Sequence, residues 1–237
     1  APTPTPTPVP TPEPSETPTP APSKTPAPEP SKTPGQEPSK TPENKPAKAG
    51  TQLSVAEAGA SYQVVSEDEK QPTVAYTAPA DKNAKKITVP ATITVGGITY
   101  KVESVAPDAF KNCKKLTSVK ISAGIQKIGK NAFSGCSKLS SVTIGKDVTE
   151  IGDGAFANCK ALKKITIPAA VTKIGKKAFS KCKALKTVTV KTKKLKTVGG
   201  SAFKGIAKKA VIKLPKAKKK AYTKLFKKKY DKTTKLK

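Results

Sequence analysis

Between residues 116 and 190 the apolar positions recur in one order: L-x-x-V-x-I, a short polar turn, then V-x-x-I-G-x-x-A-F-x-x-C. Leu139, Val142, Ile144, Val148, Ile151, Gly152, Ala155, Phe156 and Cys159 make up one such unit. The alternation in the first half of each unit predicts strands over 116–121, 139–144, 162–167 and 185–190. Phe110, Phe133, Phe156 and Phe179 stand 23 residues apart, and Cys113, Cys136, Cys159 and Cys182 keep the same interval. A fixed period of this size predicts a solenoid, because each coil can bury its apolar face only against its neighbours. The A-F-x-x-C segment is expected to be a turn or short helix on the opposite side, with Gly129, Gly152 and Gly175 allowing the bend.

The flanks fit the same frame. After Phe179 the chain gains one residue, since Phe203 lies 24 positions on, and Ile206 takes the cysteine's place. A last strand over 210–214 ends at Pro215. On the other side, 62–65, 73–76 and 87–89 read as strands, and 92–95 with 98–102 as a hairpin around Gly96-Gly97, the pair that a two-residue turn with positive φ requires. Counting back from Phe110 pairs Val105 with Ile128, Val102 with Ile125, and Ile87 and Val89 with Val119 and Ile121. The first coil is therefore a full unit widened by the hairpin, and the strands before it cap the open end. Beyond Pro215, Ala217, Ala221, Tyr222, Leu225, Phe226 and Tyr230 form one apolar stripe on a lysine-rich helix. That stripe can close the C-terminal end of the stack, or lie on an anionic membrane surface.

These repeats resemble the BspA-type leucine-rich repeat proteins of bacterial surfaces over roughly residues 87–215, where several positions of the motif agree in each unit. The resemblance implies a secreted or surface-exposed curved solenoid used for binding and adhesion rather than for chemistry. The fold class expected is a β-rich α/β solenoid, a leucine-rich repeat of 23-residue units with an N-terminal β cap and a C-terminal capping helix. Four segments follow: a Pro/Thr/Ser-rich linker (1–50), the cap (51–86), the repeats (87–215), and the lysine-rich helix and tail (216–237).

Composition sharpens the division. Residues 1–50 hold 17 of the 23 prolines and no aromatic residue, so they cannot bury a core; alternating Thr-Pro predicts a polyproline II segment. At ~3.1 Å per residue it spans on the order of 150 Å, as a wall-crossing stalk open to O-glycosylation or as an ordinary interdomain linker. Ala1 in place of Met points to a processed or trimmed start. No run of apolar residues is long enough to cross a membrane. The net charge of +30 lies wholly after residue 100, where 37 lysines face six acids, and there is no Arg or His in the chain. Two explanations stand open for that excess, codon bias in an AT-rich genome and a functional basic surface. Either way, anionic polymers are attracted at low salt.

Candidate chemistry is sparse. Without histidine no Ser-His-Asp or Cys-His device can be built. Four cysteines in a line, one per coil, cannot converge on a tetrahedral metal, and parallel Cβ directions disfavour bridging neighbours. Ile206 in the fifth slot argues for buried thiols, while the even count keeps a disulfide framework open. Glu150 and Asp153 are the best carboxylate pair for hydrolysis. The period also sets Glu150 between Lys127 and Lys173, and Asp153 between Lys130 and Lys176, where opposite charges relieve a repulsive ladder. No catalytic residue, metal or cofactor is assigned. Phosphate loops are absent, and specific nucleic-acid binding lacks both aromatic platforms and Arg.

The exposed strand face remains. Ser118 and Lys120, Ser141 and Thr143, Lys164 and Thr166, and Thr187 and Thr189 are expected to stack as a polar strip, a candidate binding surface or simply a solvated sheet face. The strip has no Trp, Tyr or Arg to anchor a compact partner. The function expected is a noncatalytic extracellular module for protein binding or adhesion at a bacterial surface, its ligand an extracellular protein. The alternatives are lysine-mediated binding of anionic polysaccharide or cell-wall polymer, or a structural spacer. A monomer is expected.

Overall fold

The structure is a computed structural model that describes residues 45–57 and 59–237; most of the Pro/Thr-rich segment lies outside the described residues. The described chain opens with an antiparallel meander, β1 (Gln52–Val55), β2 (Ala60–Ser66) and β3 (Thr73–Pro79). Next come β4 (Lys86–Val89) and the hairpin of β5 (Thr92–Val95) and β6 (Ile98–Val105), with Gly96 and Gly97 at φ 56° and 78°. Each later coil supplies a pair of strands: β7 (Ser118–Ile121) and β8 (Lys127–Ile128), β9 (Ser141–Thr143) and β10 (Glu150–Ile151). The pairs β11 (Lys164–Ile167) and β12 (Lys173–Ile174), then β13 (Thr187–Val190) and β14 (Thr197–Val198), repeat the pattern. The chain ends with β15 (Val211–Lys213), a 3-10 turn (Lys216–Lys218), α1 (Lys219–Phe226) and β16 (Lys235–Leu236).

All coils run in the same sense, so equivalent strands pair in parallel. One sheet runs β6-β8-β10-β12-β14, and the meander joins it through β3, parallel to β6. The register is the expected one: Val105 opposite Ile128, Ile128 opposite Ile151, Ile151 opposite Ile174. On the other side, β4-β7-β9 and β11-β13-β15-β16 form two sheets. Ile87 and Val89 face Val119 and Ile121, as the widened first coil requires.

The core is a column. Tyr76, Phe110, Phe133, Phe156, Phe179, Phe203 and Phe226 are stacked in sequence and Tyr62 meets Tyr76 edge to face, with ring centroids 4.7–5.6 Å apart. Every phenylalanine of the chain lies on this spine. Along the repeats the rings are nearly parallel, within 7° of one another. Each such pair contributes ~0.5–1.5 kcal/mol beyond the area it buries.

Phe226 changes the reading of the C-terminus. It lies 23 residues after Phe203 and occupies the next slot of the spine, while β16 adds a further rung to β15. The helix is thus part of a last, degenerate coil as well as its cap. Its buried side chains are Tyr222 and Phe226, whereas Ala217 and Ala221 are exposed, so the buried stripe is narrower than the sequence suggests.

The bends also differ from expectation. The A-F-x-x-C segments are turns, and the left-handed residues in them are Asn131, Gly154 and Lys177, then Gly135, Asn158 and Lys181. Gly129, Gly152 and Gly175 have ordinary φ; glycine is needed there because the backbone of the preceding coil lies where a Cβ would be.

Candidate functional site

The strand face that the sequence singles out is solvated and in register, but it falls into two parts. Ser118 stands opposite Ser141 and Lys120 opposite Thr143 on β7 and β9. Lys164 stands opposite Thr187 and Thr166 opposite Thr189 on β11 and β13. No ladder joins β9 to β11 among the described residues, and there Val142 and Ile144 are only partly buried. The coils stay connected at the preceding turn, where Ala161 donates its N–H to the Ser137 carbonyl at 3.1 Å. Lys120, Ser141, Thr143, Lys164 and Thr166 are exposed, while Ser118, Thr187 and Thr189 are half-buried. The structure therefore places Ser118, Lys120, Ser141 and Thr143 on one ladder and Lys164, Thr166, Thr187 and Thr189 on another, with β9 and β11 neighbouring strands between which the ladder is interrupted.

The opposite sheet accounts for the carboxylates. Glu150 pairs in register with Lys127 on one side and Lys173 on the other, and its Oε1 lies 2.7 Å from Lys173 Nζ. Hydrogen bonding to Glu150, then its charge, holds the Lys173 ammonium above the usual lysine value. A raised folded-state value means that this contribution is complete at neutral pH and lost only as pH rises past the ordinary lysine range. Asp153 departs from the expected ion pair: its Oδ1 accepts the backbone N–H of Lys176 at 2.6 Å. Asp147 does the same for Gly124 (2.8 Å) and Asp231 for Gly205 (2.7 Å). These acids tie one coil to the next. Among the described residues, no three His, Cys, Asp or Glu side chains converge where they could hold a metal.

The four cysteines are free and buried. Of the two readings the sequence left open, buried thiols and a disulfide framework, the structure has the thiols, and it adds a polar role. The thiols of Cys136, Cys159 and Cys182 donate to the carbonyls of Phe110, Phe133 and Phe156, at 3.0, 3.2 and 3.1 Å. Each thiol thus satisfies a carbonyl of the preceding coil. Burial is the main force pushing the Cys136 thiol up to about 12, and it raises Cys113 as well, which disfavours the reactive thiolate at those two positions. The folded protein is expected to resist a thiol reagent at pH 7, and to show four reactive groups in denaturant without reductant. Fewer than four would mean oxidised pairs.

One element escaped sequence reasoning, although the extra residue between Phe179 and Phe203 marks it. The loop after β13 carries Lys191, Lys193, Lys194 and Lys196, and it is fixed by two internal anchors. Thr192 is fully buried; its hydroxyl donates to the Val171 carbonyl at 2.7 Å and accepts the Lys194 N–H at 3.0 Å. The Tyr222 hydroxyl on α1 accepts the Leu195 N–H at 2.8 Å. Between this loop and α1 lies an open groove of about 900 Å³. No described helix is long and apolar enough to cross a membrane.

Comparison with known proteins agrees with this architecture. Residues 103–232 match the BspA type leucine rich repeat region in six copies, over half of the chain. Among solved structures, the chain is similar to a leucine-rich repeat protein of T. pallidum, with 27% identity and TM-score 0.58 over 68% of this chain and 71% of that one. A leucine-rich repeat protein of Bacteroides capillosus matches with 28% identity and TM-score 0.51, over 59% of this chain and 97% of the other. The pneumococcal vaccine antigen PcpA matches with 26% identity and TM-score 0.60, over 80% of this chain and 47% of that one. No curated protein sequence matches. With six family repeats set on one aromatic spine, the chain belongs to the BspA-type leucine-rich repeat proteins.

Proposed function

We propose that this chain is a noncatalytic binding module exposed outside a bacterial cell, recognising an extracellular protein through the Ser/Thr/Lys face of β7, β9, β11 and β13. The observation that carries this reading is the placement of those side chains. They stand in register on two parallel ladders, β7 with β9 and β11 with β13, whose backbones are fixed by the core, so a partner meets a preformed surface with little ordering cost. Membership of the repeat family, and the likeness to a pneumococcal vaccine antigen, support exposure at the surface. In this reading the Pro/Thr-rich segment 1–50 is the spacer and 51–237 the displayed unit.

The test is binding of the chain to immobilised extracellular matrix proteins in ~0.5 M salt, where diffuse attraction between exposed charges is largely screened. Ser141→Arg with Thr143→Arg, or Thr166→Arg with Thr189→Arg, is expected to abolish salt-resistant binding while the thermal midpoint stays put. Binding unchanged in both double variants would remove the strand face from the interaction.

A second reading rests on a different observation. Residues 160–237 contain 28 lysines and one acid, Asp231, whose carboxylate is already committed to the Gly205 N–H. On this reading the lysines bind an anionic glycan or cell-wall polymer.

A further inference from the structure

The charge in the C-terminal third is not spread evenly over a convex surface; part of it is gathered around the groove beside α1. Lys193, Lys194 and Lys196 of the anchored loop form one bank, and Lys218, Lys220 and Lys224 the other. The floor is apolar, made by Leu195, Ala217, Ala221 and Leu225. Six lysines gathered around one groove repel one another in the free protein, and among the described residues no acid lines it. Like charges gathered at one place raise the local positive potential, so an anion is attracted there more strongly than to isolated surface lysines.

We propose that this groove is a docking site for a linear acidic polysaccharide whose sugars carry carboxylate or sulfate groups. The inference rests on the anionic-polymer reading above, and adds a place and a ligand class. Three features select the ligand. An apolar floor between charged banks fits a chain with apolar C–H ring faces and charged substituents at its edges; polyphosphate has no apolar surface to offer it. Base stacking is unavailable, since Tyr222, the aromatic ring on the wall, is 3% exposed and its hydroxyl is engaged by Leu195. A membrane surface is disfavoured because the large side chains that could insert, Tyr222 and Phe226, are buried against the solenoid.

The site is also preformed. Buried Thr192 and the bond from Leu195 to Tyr222 hold the loop bank against the helix bank, so binding need order only the lysine side chains. The inserted residue that lengthens this coil creates the loop that carries Lys193 and Lys194.

The experiment uses the full chain with a heparin-derived decasaccharide as probe, at physiological ionic strength. The groove variant combines Lys194→Glu, Lys220→Glu and Lys224→Glu. The control combines Lys114→Glu, Lys115→Glu and Lys138→Glu, all exposed and in earlier coils, with the same change in net charge. The groove variant is expected to bind about tenfold more weakly or worse, since each reversal removes one attraction and adds a repulsion. The control should lose no more than about threefold, as the long-range field alone is weakened. Equal losses in both variants, with retained far-UV dichroism, would overturn the groove while leaving the anionic-polymer reading standing. No binding by the unsubstituted chain would overturn both. A polyphosphate of matched charge that binds as tightly as the decasaccharide, and suffers the same loss in the groove variant, would overturn the assignment to polysaccharide.

Discussion

Phe156→Ala is expected to lower stability by ~3–5 kcal/mol, the range for removing a fully packed ring from a core that cannot collapse around the gap. Phe156 is fully buried, and its ring lies between Phe133 at 5.1 Å and Phe179 at 5.3 Å, nearly parallel to both. Its loss breaks two stacked pairs and leaves a void on the solenoid axis. The backbone on either side is fixed by hydrogen bonds between coils, including Phe133 N–H to Ala155 O and Phe156 N–H to Ala178 O, so neighbouring coils cannot close in. In a linear stack each coil contacts only its neighbours, so the effect on cooperativity should also be visible. Guanidinium denaturation should show a lower midpoint, with a reduced slope if the two halves of the stack uncouple. A loss below about 1 kcal/mol, usual for surface positions, would show that the spine does not carry the fold. Phe226→Ala, at the C-terminal end of the column, should instead loosen the last coil and leave the central ones folded.

Much of this column was legible in the sequence, because a side chain repeated at a fixed interval can pack only on its own equivalents. The register of Glu150 against Lys127 and Lys173, the glycine hairpin and the pairing of Ile87 with Val119 all followed from counting. What stayed hidden was masked by competing local patterns. In the last coil, the helical spacing of Tyr222, Leu225 and Phe226 reads as an independent amphipathic helix and conceals the 23-residue step from Phe203 to Phe226. The second strands of the coils, such as β8 and β10, are two residues long, too short for alternation to register. Lys177 and Lys181 adopt φ of 53° and 59° against their own preference, because turns fixed by coils on both sides override it. The interruption between β9 and β11 has no counterpart in the motif, so the exposed strand face reads from sequence as more continuous than it is.

The second large effect concerns the spacing between coils. Gly152→Ala should destabilise the protein by about 3 kcal/mol or more, at the upper end of what overpacking a rigid interior costs. An added Cβ would stand 2.7 Å from the Gly129 carbonyl carbon and the Ile128 carbonyl oxygen, and 2.8 Å from the Lys130 nitrogen. All three are backbone atoms of the preceding coil, so no rotamer can relieve the contact. The same peptide of Gly152 donates its N–H to Ile128 O at 2.8 Å, so moving the coils apart also weakens a rung between them. Gly200→Ala is the matched control. That glycine faces open space and has no positive φ, so its substitution should stay within ~0.5 kcal/mol of the parent. Because Gly129, Gly152, Gly175 and Gly199 all meet the backbone of the preceding coil, close main-chain contact sets the interval at which the phenylalanine rings repeat. If Gly152→Ala and Gly200→Ala unfolded at the same denaturant concentration, the coil spacing would have to come from the side chains of the spine alone.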